Sequence, residues 1–357
     1  MYYYEAGLID TKDGIQCKVY SSSHPKGLII VKPKYIPNDL IKFTGLRKRF
    51  LFGKCMTRFN LFNKKEIVEE NLKRLRKKIP DIIYECKNHR NWFFVVPEKK
   101  VAKFYDTQAG LKEFLKVPEE DMDSYLKATK GMIDLIVESG VSPDDLGISH
   151  STLLGNYTPW KSDIDIIIFG KDNGWKVLKH LEKNKNPRLR WKTKEDWAKY
   201  YKDRIVSKNF SEEEYVFNMV RKRDDGFFDG NVFSIFVVEK PGEFWYDWED
   251  KHEPLGTVTL RGSVTDEYNS IVRPGYYELK DTKILEGYKQ VPVKRIVTWS
   301  RPFSLQAKKG ELIEACGLLE RIKPKKGEEY YQVVIGYMDT YTTDRGEKEY
   351  MKAIVHK

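Results

Sequence analysis

Short apolar runs separated by turn residues mark both ends of the chain. Over residues 1–54, runs such as Leu28 to Val31 alternate with turn signals such as Lys32-Pro33, a pattern that is typical of short strands. From about Leu255 to the C-terminal region, short apolar runs again alternate with turn residues. Both ends are therefore predicted to be rich in β-structure.

Between them, the apolar residues recur with the period of an α-helix. One helix is predicted from Asn63, where Glu66 completes a capping box, and it should end at Pro80. A second is predicted from Pro118 to Gly140. The remaining patterns are helical over 174–184 and 194–208, helical again from a capping box at Ser211 and Glu214, and strand-like from Val232 to Val238.

These patterns predict an α+β fold with three regions. An N-terminal β/α region is expected over residues 1–114, and a core of mixed sheet with helices over 115–250. A C-terminal β-rich module, for which a small barrel is one arrangement, is expected over 251–357. The 357 residues, 40% of them hydrophobic, are enough for two or three such domains.

Composition narrows the class of protein. The longest apolar runs fall far short of the ~20 residues that cross a bilayer, and the N-terminus lacks the features of a secretory signal. We therefore expect a soluble, cytoplasmic protein with no membrane partner. The net charge of +11 favours a polyanionic partner, although a lysine-rich solvated surface gives the same charge. The four cysteines form no C-x-x-C pair and the six histidines are scattered, so metal ligands are expected to be carboxylates.

The segment 147–170 contains the residues from which chemistry is predicted. Asp163 and Asp165 alternate with apolar residues at the start of an isoleucine-rich run, so in a strand both carboxylates project from one face. Two neighbouring carboxylates repel unless a cation lies between them, and hard oxygen ligands select Mg²⁺ or Mn²⁺. The pair therefore predicts a divalent metal site.

Upstream of the aspartates, Ser151 begins a short turn that ends at Gly155. The hydroxyl and the backbone N–H groups of such a turn are suited to hold a triphosphate. A metal beside phosphate donors is the arrangement of a phosphoryl-transfer site, in which positioning and charge neutralisation supply most of the catalysis. An acidic turn before a buried strand is common by itself, so the prediction depends on its coupling to Ser151 and Gly155.

Together, Ser151, Gly155 and Ser162-Asp163-Ile164-Asp165 resemble the nucleotidyltransferase signature of the DNA polymerase β superfamily, normally Gly-Ser, a short helix and then Ser-Asp-x-Asp on a strand. The whole chain is also similar to a group of archaeal predicted nucleotidyltransferases, through Gly7 to Gly14, Leu153 to Pro159 and the β module that opens at Gly256. The resemblance implies a polymerase-β-type core that uses an NTP with Mg²⁺ or Mn²⁺, with Asp163 and Asp165 as metal ligands and catalytic residues.

Two positions depart from the superfamily pattern. His150 replaces the glycine before the serine, where its side chain either crowds the triphosphate or contacts it. The superfamily also has a third carboxylate on a neighbouring strand, but the expected strand carries Ser234 in its middle. Asp229 and Glu239 flank that strand, and either is a candidate for the third ligand that activates the acceptor hydroxyl.

A basic and aromatic segment follows the central motif. Arg188, Arg190 and Lys192 surround Trp191, a mixture suited to single-stranded nucleic acid because bases stack on aromatic rings and phosphates contact cations. The alternative is a helix that buries its aromatic residues and leaves its cations in solvent. A second basic stretch, Lys42 to Arg58, suits the same partner or a solvated hairpin face.

These observations predict a metal-dependent nucleotidyltransferase that moves an NMP from an NTP to an acceptor hydroxyl, with an RNA end as the expected acceptor. Transfer to a protein or a small molecule is a second hypothesis. A catalytically degenerate protein that binds nucleic acid is a third, because Ser234 is a poor metal ligand.

Overall fold

The computed structural model describes residues 1–41, 48–51, 54–59, 61, 65–203 and 211–354. They form a mixed α+β structure with three sheets, which confirms the predicted fold class. The strands are β1 Leu8–Thr11, β2 Gln16–Val19, β3 Leu28–Pro37, β4 Lys48–Leu51, β5 Lys54–Arg58, β6 Ile83–Cys86, β7 Asn91–Pro97, β8 Val101–Tyr105, β9 Leu146–Ile148, β10 Ile164–Phe169, β11 Leu189–Trp191, β12 Asp225–Phe228, β13 Asn231–Val238, β14 Lys251–Asp266, β15 Gly275–Glu286, β16 Val293–Thr298, β17 Leu312–Lys323, β18 Tyr330–Ile335 and β19 Tyr350–Ile354. The helices are α1 Lys65–Lys78, α2 Thr107–Phe114, α3 Ser124–Val137, α4 His150–Leu153, α5 Lys171–Lys183, α6 Lys194–Asp203 and α7 Glu212–Val220.

Eight strands of the N-terminal region make the first sheet. Six of them pair in the order β4-β5-β3-β2-β1-β8, while β7 pairs with β3 and β6 pairs with β7. Helix α1 contributes Val68, Leu72 and Leu75 to the core of this sheet, the stripe that its periodicity predicts. The capping residue predicted at Asn63 lies outside the described residues.

Five strands make the second sheet, in the order β11-β12-β13-β10-β9. Strands β10 and β13 run parallel, and the other neighbours are antiparallel. Ile164, Ile166 and Ile168 share one apolar core with residues of α3 and α5, so both helices cover the same face of the sheet. The strand predicted from Val232 to Val238 is confirmed as β13.

The helix predicted from Pro118 begins later, at Ser124. Asp123 caps it, because its carboxylate accepts a hydrogen bond of 2.9 Å from the N–H of Leu126. Residues Glu119–Asp121 form a separate single turn of 3-10 helix. The periodic pattern predicted the buried stripe of α3 but not its first residue. Pro118 with the acidic residues after it and Asp123 are both typical of a helix N-terminus.

The later helices follow their patterns more closely. At Ser211, the hydroxyl accepts the N–H of Glu214 at 3.1 Å and the Glu214 carboxylate accepts the N–H of Ser211 at 3.0 Å, which confirms the capping box. Helix α6 is described to Asp203, and residues 204–208 of the predicted helix lie outside the described residues. In the part of the chain that the structure describes, no helix is long and apolar enough to span a bilayer.

The third sheet closes on itself. Its strands pair in the order β14-β15-β16-β18-β17, and β17 pairs in turn with β14, so five strands form a ring. Strand β19 pairs with the first half of β17, beside the segment that β18 occupies. The ring encloses an apolar core that includes Val258, Ile296, Ile313 and Val333.

The three sheets contact one another. Trp299, from the loop after β16, lies in the same apolar core as Phe93 of the first sheet. Near the N-terminus, Tyr4 packs on Ile167 and Phe236 of the second sheet, on the face that α3 and α5 leave open. We call the region between this open face and the first sheet the cleft. The Tyr4 contacts lie at its inner end.

A histidine in the first sheet gives a pH-dependent test of the fold. His24 is largely buried; its Nδ1 accepts the N–H of Ile30 at 3.1 Å and its Nε2 contacts the carbonyl of Tyr3 at 3.0 Å, which fits only the neutral ring. Burial lowers the pKa of His24 from 6.5 to about 4. The unfolded chain therefore gains a proton at a higher pH than the folded chain does, and stability falls as the pH drops from 6.5 towards 4.

The variant His24→Asn keeps an acceptor for the N–H of Ile30 but cannot be protonated. We therefore expect it not to show the part of the fall in stability that protonation of His24 causes. The free energy of urea unfolding of the wild type should fall by roughly 2 kcal/mol more than that of the variant between about pH 7.5 and 5. Parallel pH profiles for the two proteins would contradict the assignment of a neutral buried ring.

Candidate functional site

Asp163 and Asp165 lie at the beginning of β10, on the open face of the second sheet. Side chains alternate along a strand, so Ile164 and Ile166 are buried in the core on the opposite face. Asp165 has 15% of its side chain exposed, whereas Asp163 is exposed. One carboxylate therefore stands inside the cleft and the other stands at its mouth.

Helix α4 is held beside the two aspartates by hydrogen bonds at both ends. The N–H of Ser149 donates to the carbonyl of Asp165 at 3.0 Å, and its hydroxyl donates to the carbonyl of Ala6 at 2.6 Å. The Tyr125 hydroxyl donates to the carbonyl of Asp163 at 2.9 Å and lies 2.6 Å from the hydroxyl of Thr152. These bonds keep the turn from Ser151 to Gly155 next to the carboxylates.

The two residues of that turn singled out by the sequence differ in their surroundings. Ser151 is partly buried in α4, whereas Gly155 is exposed at its end. Gly155 has a φ of +64°, and a Cβ added there would meet no atom within 4 Å. The turn therefore needs glycine for its backbone conformation, and it leaves open space where a phosphate can approach.

His150 occupies the position where the superfamily has glycine, and its backbone is left-handed with a φ of +54°. Its Nδ1 lies 3.4 Å from Oδ2 of Asp165, and its ring centre is 5.9 Å from that of Phe236. Burial, followed by the nearby cations Lys34 and Lys18, holds the pKa of His150 well below its usual range. The ring is therefore neutral and crowds the inner carboxylate.

The register of β10 and β13 puts Ser234 directly opposite Asp165. Asp229 and Glu239, proposed from the sequence as third carboxylates, are each five residues from Ser234 in opposite directions, at about 3.3 Å per residue. Asp229 pairs with Arg188 at 2.5 Å, and Glu239 lies 3.6 Å from Lys171. At this spacing the strand places neither carboxylate beside Ser234 and Asp165.

Asp225 is the carboxylate that the sheet brings closest in register. It lies opposite Ser234 on β12, and the Ser234 hydroxyl donates to it at 2.6 Å. With one strand between them, the Cα atoms of Asp165 and Asp225 are roughly 10 Å apart. Arg301 lies 3.6 Å from Asp225 and also 3.6 Å from Asp224. An arginine therefore neutralises the carboxylates on this side of the cleft.

That pairing determines the charge of Asp225. Burial favours its neutral form, but the cations Arg301 and Lys192 outweigh burial and hold the pKa of Asp225 below its usual range. Burial likewise opposes the charge of Arg301, yet Asp225 and Asp224 raise its pKa. Asp225 is a poor proton acceptor in this arrangement.

Cations from the first sheet face the inner aspartate. Burial is the largest cause that raises the pKa of Asp165, to about 7, with the charge of Lys18 opposing and that of Asp163 reinforcing the shift. Lys34 and Arg301 also oppose it. Carboxylates that share a site in this way are stabilised by a bound cation. Of the basic stretch Lys42 to Arg58, residues 42–47, 52 and 53 lie outside the described residues.

Asp163 and Asp165 fit a magnesium or manganese ion. Mg²⁺ usually takes one or two protein carboxylates and completes its octahedron with water and substrate phosphates. Among the described residues, no three or more His, Cys, Asp or Glu side chains are grouped so that they could hold a metal by themselves. Asp163 and Asp165 by themselves could therefore supply at most two of the ligands of such an ion.

The residues predicted to bind nucleic acid lie on β11 or directly beside it, at the edge of the second sheet, and each cation has an acidic neighbour. The pairs are Arg188 with Asp229 at 2.5 Å, Arg190 with Asp196 at 2.5 Å and Lys192 with Asp225 at 4.0 Å. Arg188 and Arg190 keep about half of their side chains exposed. Lys192 is mostly buried and Trp191 packs against Phe233, so these two residues point inwards.

Sequence reasoning missed Lys18, Lys34, Asp225 and Arg301. Lys18 lies on β2 and Lys34 on β3. The turn expected at Lys32-Pro33 is wrong, because β3 continues through these residues to Pro37. A pattern also does not say that another sheet will cover the face of a strand. Trp160 was also missed; it is 74% exposed in the loop before Asp163 and has a φ of +65°. The sequence shows a tryptophan close to the two aspartates, but it does not show that this tryptophan is exposed.

Comparisons with known proteins extend the similarity across the whole chain without naming an activity. The uncharacterized protein MJ1086 of Methanocaldococcus jannaschii is 26% identical over 349 residues, which are 96% of this chain and 97% of that protein. No family model matches the chain, and no solved structure matches it. The similarity spans all three sheets, so function must be argued from the site itself.

The left-handed backbone of His150 gives a test of its role. We expect His150→Gly to bind an NTP with Mn²⁺ at least as tightly as the wild type, because glycine removes the ring from the space beside Asp165. The matched control is His150→Ala, which opens the same space but keeps a Cβ on a left-handed backbone and should be about 1 kcal/mol less stable than the glycine variant. Titration calorimetry and urea unfolding measure the two effects. Loss of nucleotide binding in both variants would show instead that His150 contacts a phosphate.

Proposed function

We propose that this protein is a metal-dependent nucleotidyltransferase with a polymerase-β-type core, which moves an NMP from an NTP to an acceptor hydroxyl. The observation that carries the proposal is the pair Asp163 and Asp165 on one sheet face, next to the turn from Ser151 to Gly155, in a cleft lined by cations. This combination supplies metal ligands, phosphate donors and neutralising charge in one place, which is what phosphoryl transfer requires.

Each group has a role that follows from its surroundings. Asp163 and Asp165 would hold Mg²⁺ or Mn²⁺, which when bound neutralises the phosphate charge and polarises the α-phosphate. The Ser151 hydroxyl binds the triphosphate, with Gly155 allowing its close approach. The N–H groups of Leu154, Gly155 and Asn156 already donate to backbone carbonyls of the turn, so they do not take part. Lys34 and Arg301, whose charges act on Asp165, offset the negative charge of the transferring group.

The transfer itself exchanges one P–O bond for another. The acceptor oxygen bonds to the α-phosphorus, the bond from that phosphorus to the oxygen bridging to the β-phosphate breaks, and pyrophosphate leaves. Asp225 is unsuited to take the acceptor's proton, because Arg301 and Lys192 hold its pKa low. The proton is released to solvent at the mouth of the cleft, where Asp163 is exposed.

Nucleic acid, with an RNA end as the reacting group, is the acceptor that the charge distribution favours first. The net charge is +11, and Arg188 and Arg190 are about half exposed on an edge strand of the same sheet as the aspartates. Their pairing with Asp229 and Asp196 weakens this argument, since part of their charge is already satisfied. A protein or a small-molecule acceptor is the alternative.

A second candidate function is nucleotide or nucleic-acid binding without transfer. The specific observation in its favour is that Ser234 and Arg301 occupy the region where the superfamily has a third carboxylate. A protein of this kind would bind the nucleotide at the same residues but release it unchanged.

Nucleotide binding can be tested before any acceptor is known. An NTP with Mg²⁺ or Mn²⁺ should raise the melting temperature, since a ligand at a hundred times its Kd adds about 2.7 kcal/mol to the free energy of unfolding. Asp163→Asn combined with Asp165→Asn should abolish the increase in melting temperature that the metal adds. The control is Asp172→Asn on α5, a carboxylate that accepts a hydrogen bond from the Tyr268 hydroxyl, and it should keep the increase. A full shift in the double variant would mean that the nucleotide binds elsewhere.

Transfer is tested with each of the four NTPs labelled at the α-phosphate, incubated with RNA, DNA, protein and small-molecule fractions in Mg²⁺, Mn²⁺ or EDTA. We expect label in RNA that requires metal and both Asp163 and Asp165. Label in the protein or small-molecule fraction would select the alternative acceptor. Nucleotide binding with no labelled product in any fraction would favour the binding function over the enzyme.

A further inference from the structure

The inner end of the cleft, beyond Asp165, carries buried basic side chains, of which the proposed transfer uses only Arg301. We call it the inner pocket, and its residues are Glu5, Lys18, Lys32, Arg273 and Arg301. The Lys18 Nζ lies 4.3 Å and the Arg301 Cζ 4.2 Å from the ring centre of Phe236. Phe236 is two residues beyond Ser234, which faces Asp165, so the pocket begins about 7 Å along the strand from that carboxylate.

Two lysines of the pocket face each other directly. Lys18 on β2 is the register partner of Lys32 on β3, and Lys34 follows two residues later on the same strand. Like charges opposite each other across a pair of strands are destabilising. Burial and the neighbouring Arg273 lower the pKa of Lys18 to about 7. Burial also holds the pKa of Lys32 well below its usual range. The fold therefore holds together basic groups whose protonated forms repel each other in the absence of an anion.

Aromatic rings and one acid fix these cations in position. The ring centre of Tyr20 lies 3.9 Å from the Lys32 Nζ and 4.6 Å from the Arg273 Cζ. Lys32 also donates to the hydroxyl of Tyr341 at 2.6 Å. Arg273 is 8% exposed and pairs with Glu5 at 2.9 Å, which is the acid that balances it. The pocket is a built arrangement and not a set of mobile surface side chains.

An unsatisfied donor and a cavity occur at the same place. Among the described residues, the buried Nε of Arg273 has no hydrogen-bond partner. Arg273 lines a cavity of about 30 Å³ together with Glu5, Asp224, Phe236 and Arg301. Lys18 and Lys32 are not among its lining residues, but Lys18 lies over the ring of Phe236, and Lys32 shares the ring of Tyr20 with Arg273. About 10–15 Å³ of such space holds one water, so the cavity has room for two or three waters. Asp224 lines the same cavity, and its Oδ1 also has no hydrogen-bond partner among the described residues.

Tyr4 packs on Ile167 and Phe236 at the inner end of the cleft, whereas Asp163 is exposed at the outer end. A ligand that comes from the exposed end and reaches Lys18 and Arg273 would pass Asp165 on the way.

We propose that the inner pocket binds a terminal phosphate monoester of the acceptor, held by Lys18, Lys32 and Arg273. The role of this phosphate as part of the acceptor rests on the proposed nucleotidyl transfer, but its binding does not. The same chemistry has two sources, the phosphorylated end of a nucleic acid and a small phosphomonoester. In both, the pocket positions the acceptor so that its reacting oxygen lies near the aspartates.

Inorganic phosphate is the first probe, titrated into the full chain by calorimetry at constant ionic strength without metal or nucleotide. We expect saturable binding, weakened at least tenfold by Lys18→Met and by Lys32→Met, which keep side-chain length and remove the charge. The matched control is Lys176→Met, a lysine on α5 that donates to the carbonyl of Gly140, and it should bind like the wild type. If one pocket variant fails to fold by circular dichroism, the other still decides the question.

Binding no stronger in the wild type than in both pocket variants would overturn the proposal, as would displacement of phosphate by a non-hydrolysable NTP, which would assign the pocket to the nucleotide. Asp163→Asn with Asp165→Asn should retain phosphate binding, so failure of the transfer reaction and failure of the pocket remain separate results. Two pairs of ligands then identify the source of the phosphate. One pair is an oligoribonucleotide with a 5′-phosphate and the same oligoribonucleotide with a 5′-hydroxyl, and the other is glycerol phosphate and glycerol. If the phosphate increases the affinity in one pair and Lys18→Met removes the increase, that pair identifies the source; no increase in either pair contradicts an acceptor phosphate.

Discussion

The alternation of isoleucine and aspartate at the start of β10 is the constraint on which the candidate site depends. Ile164 and Ile166 must enter the core beneath α3 and α5, because exposing them would forfeit roughly 1.5–3 kcal/mol for each side chain. Burial of these two residues fixes which face the strand presents. Asp163 and Asp165 are consequently held on the opposite face, and a shift of one residue in register would bury both carboxylates.

That opposite face is not left to solvent, and this determines its electrostatics. The first sheet and the segment around Tyr4 cover its inner end, so the environment of Asp165 is set by groups that are remote in sequence. Lys18 and Lys34 come from β2 and β3, and Arg301 comes from the loop after β16. The second sheet supplies carboxylates and the other two regions supply cations, so the site exists only where all three meet.

The same arrangement explains why the site departs from a three-carboxylate pattern. The strand next to β10 offers Ser234 at the level of Asp165, and the nearest acid, Asp225, lies one strand farther away with Arg301 beside it. The positive charge of Arg301 therefore occupies the region in which a third carboxylate would help to bind a second metal. A single metal shared with substrate phosphates is compatible with this geometry, since Mg²⁺ commonly uses one or two protein carboxylates.

The sequence by itself determined those features that depend on neighbours along the chain. Strand β13, the buried stripe of α3 and the capping box at Ser211 follow from local periodicity and local hydrogen bonds. The common face of Asp163 and Asp165 follows from alternation. The first residue of α3 did not follow, because Pro118 and Asp123 both give helix-start signals and only packing selects one of them.

Tertiary structure alone decided which distant residues meet the aspartates. Asp229 and Glu239 flank β13 in sequence, yet an extended strand separates each of them from Ser234 by five residues, whereas antiparallel pairing brings in Asp225 from another strand. Lys18 and Arg301 are nearly three hundred residues apart and meet at the ring of Phe236. No local pattern encodes such a meeting, because it depends on how one sheet packs over another, and that is fixed by the burial of all three apolar cores together.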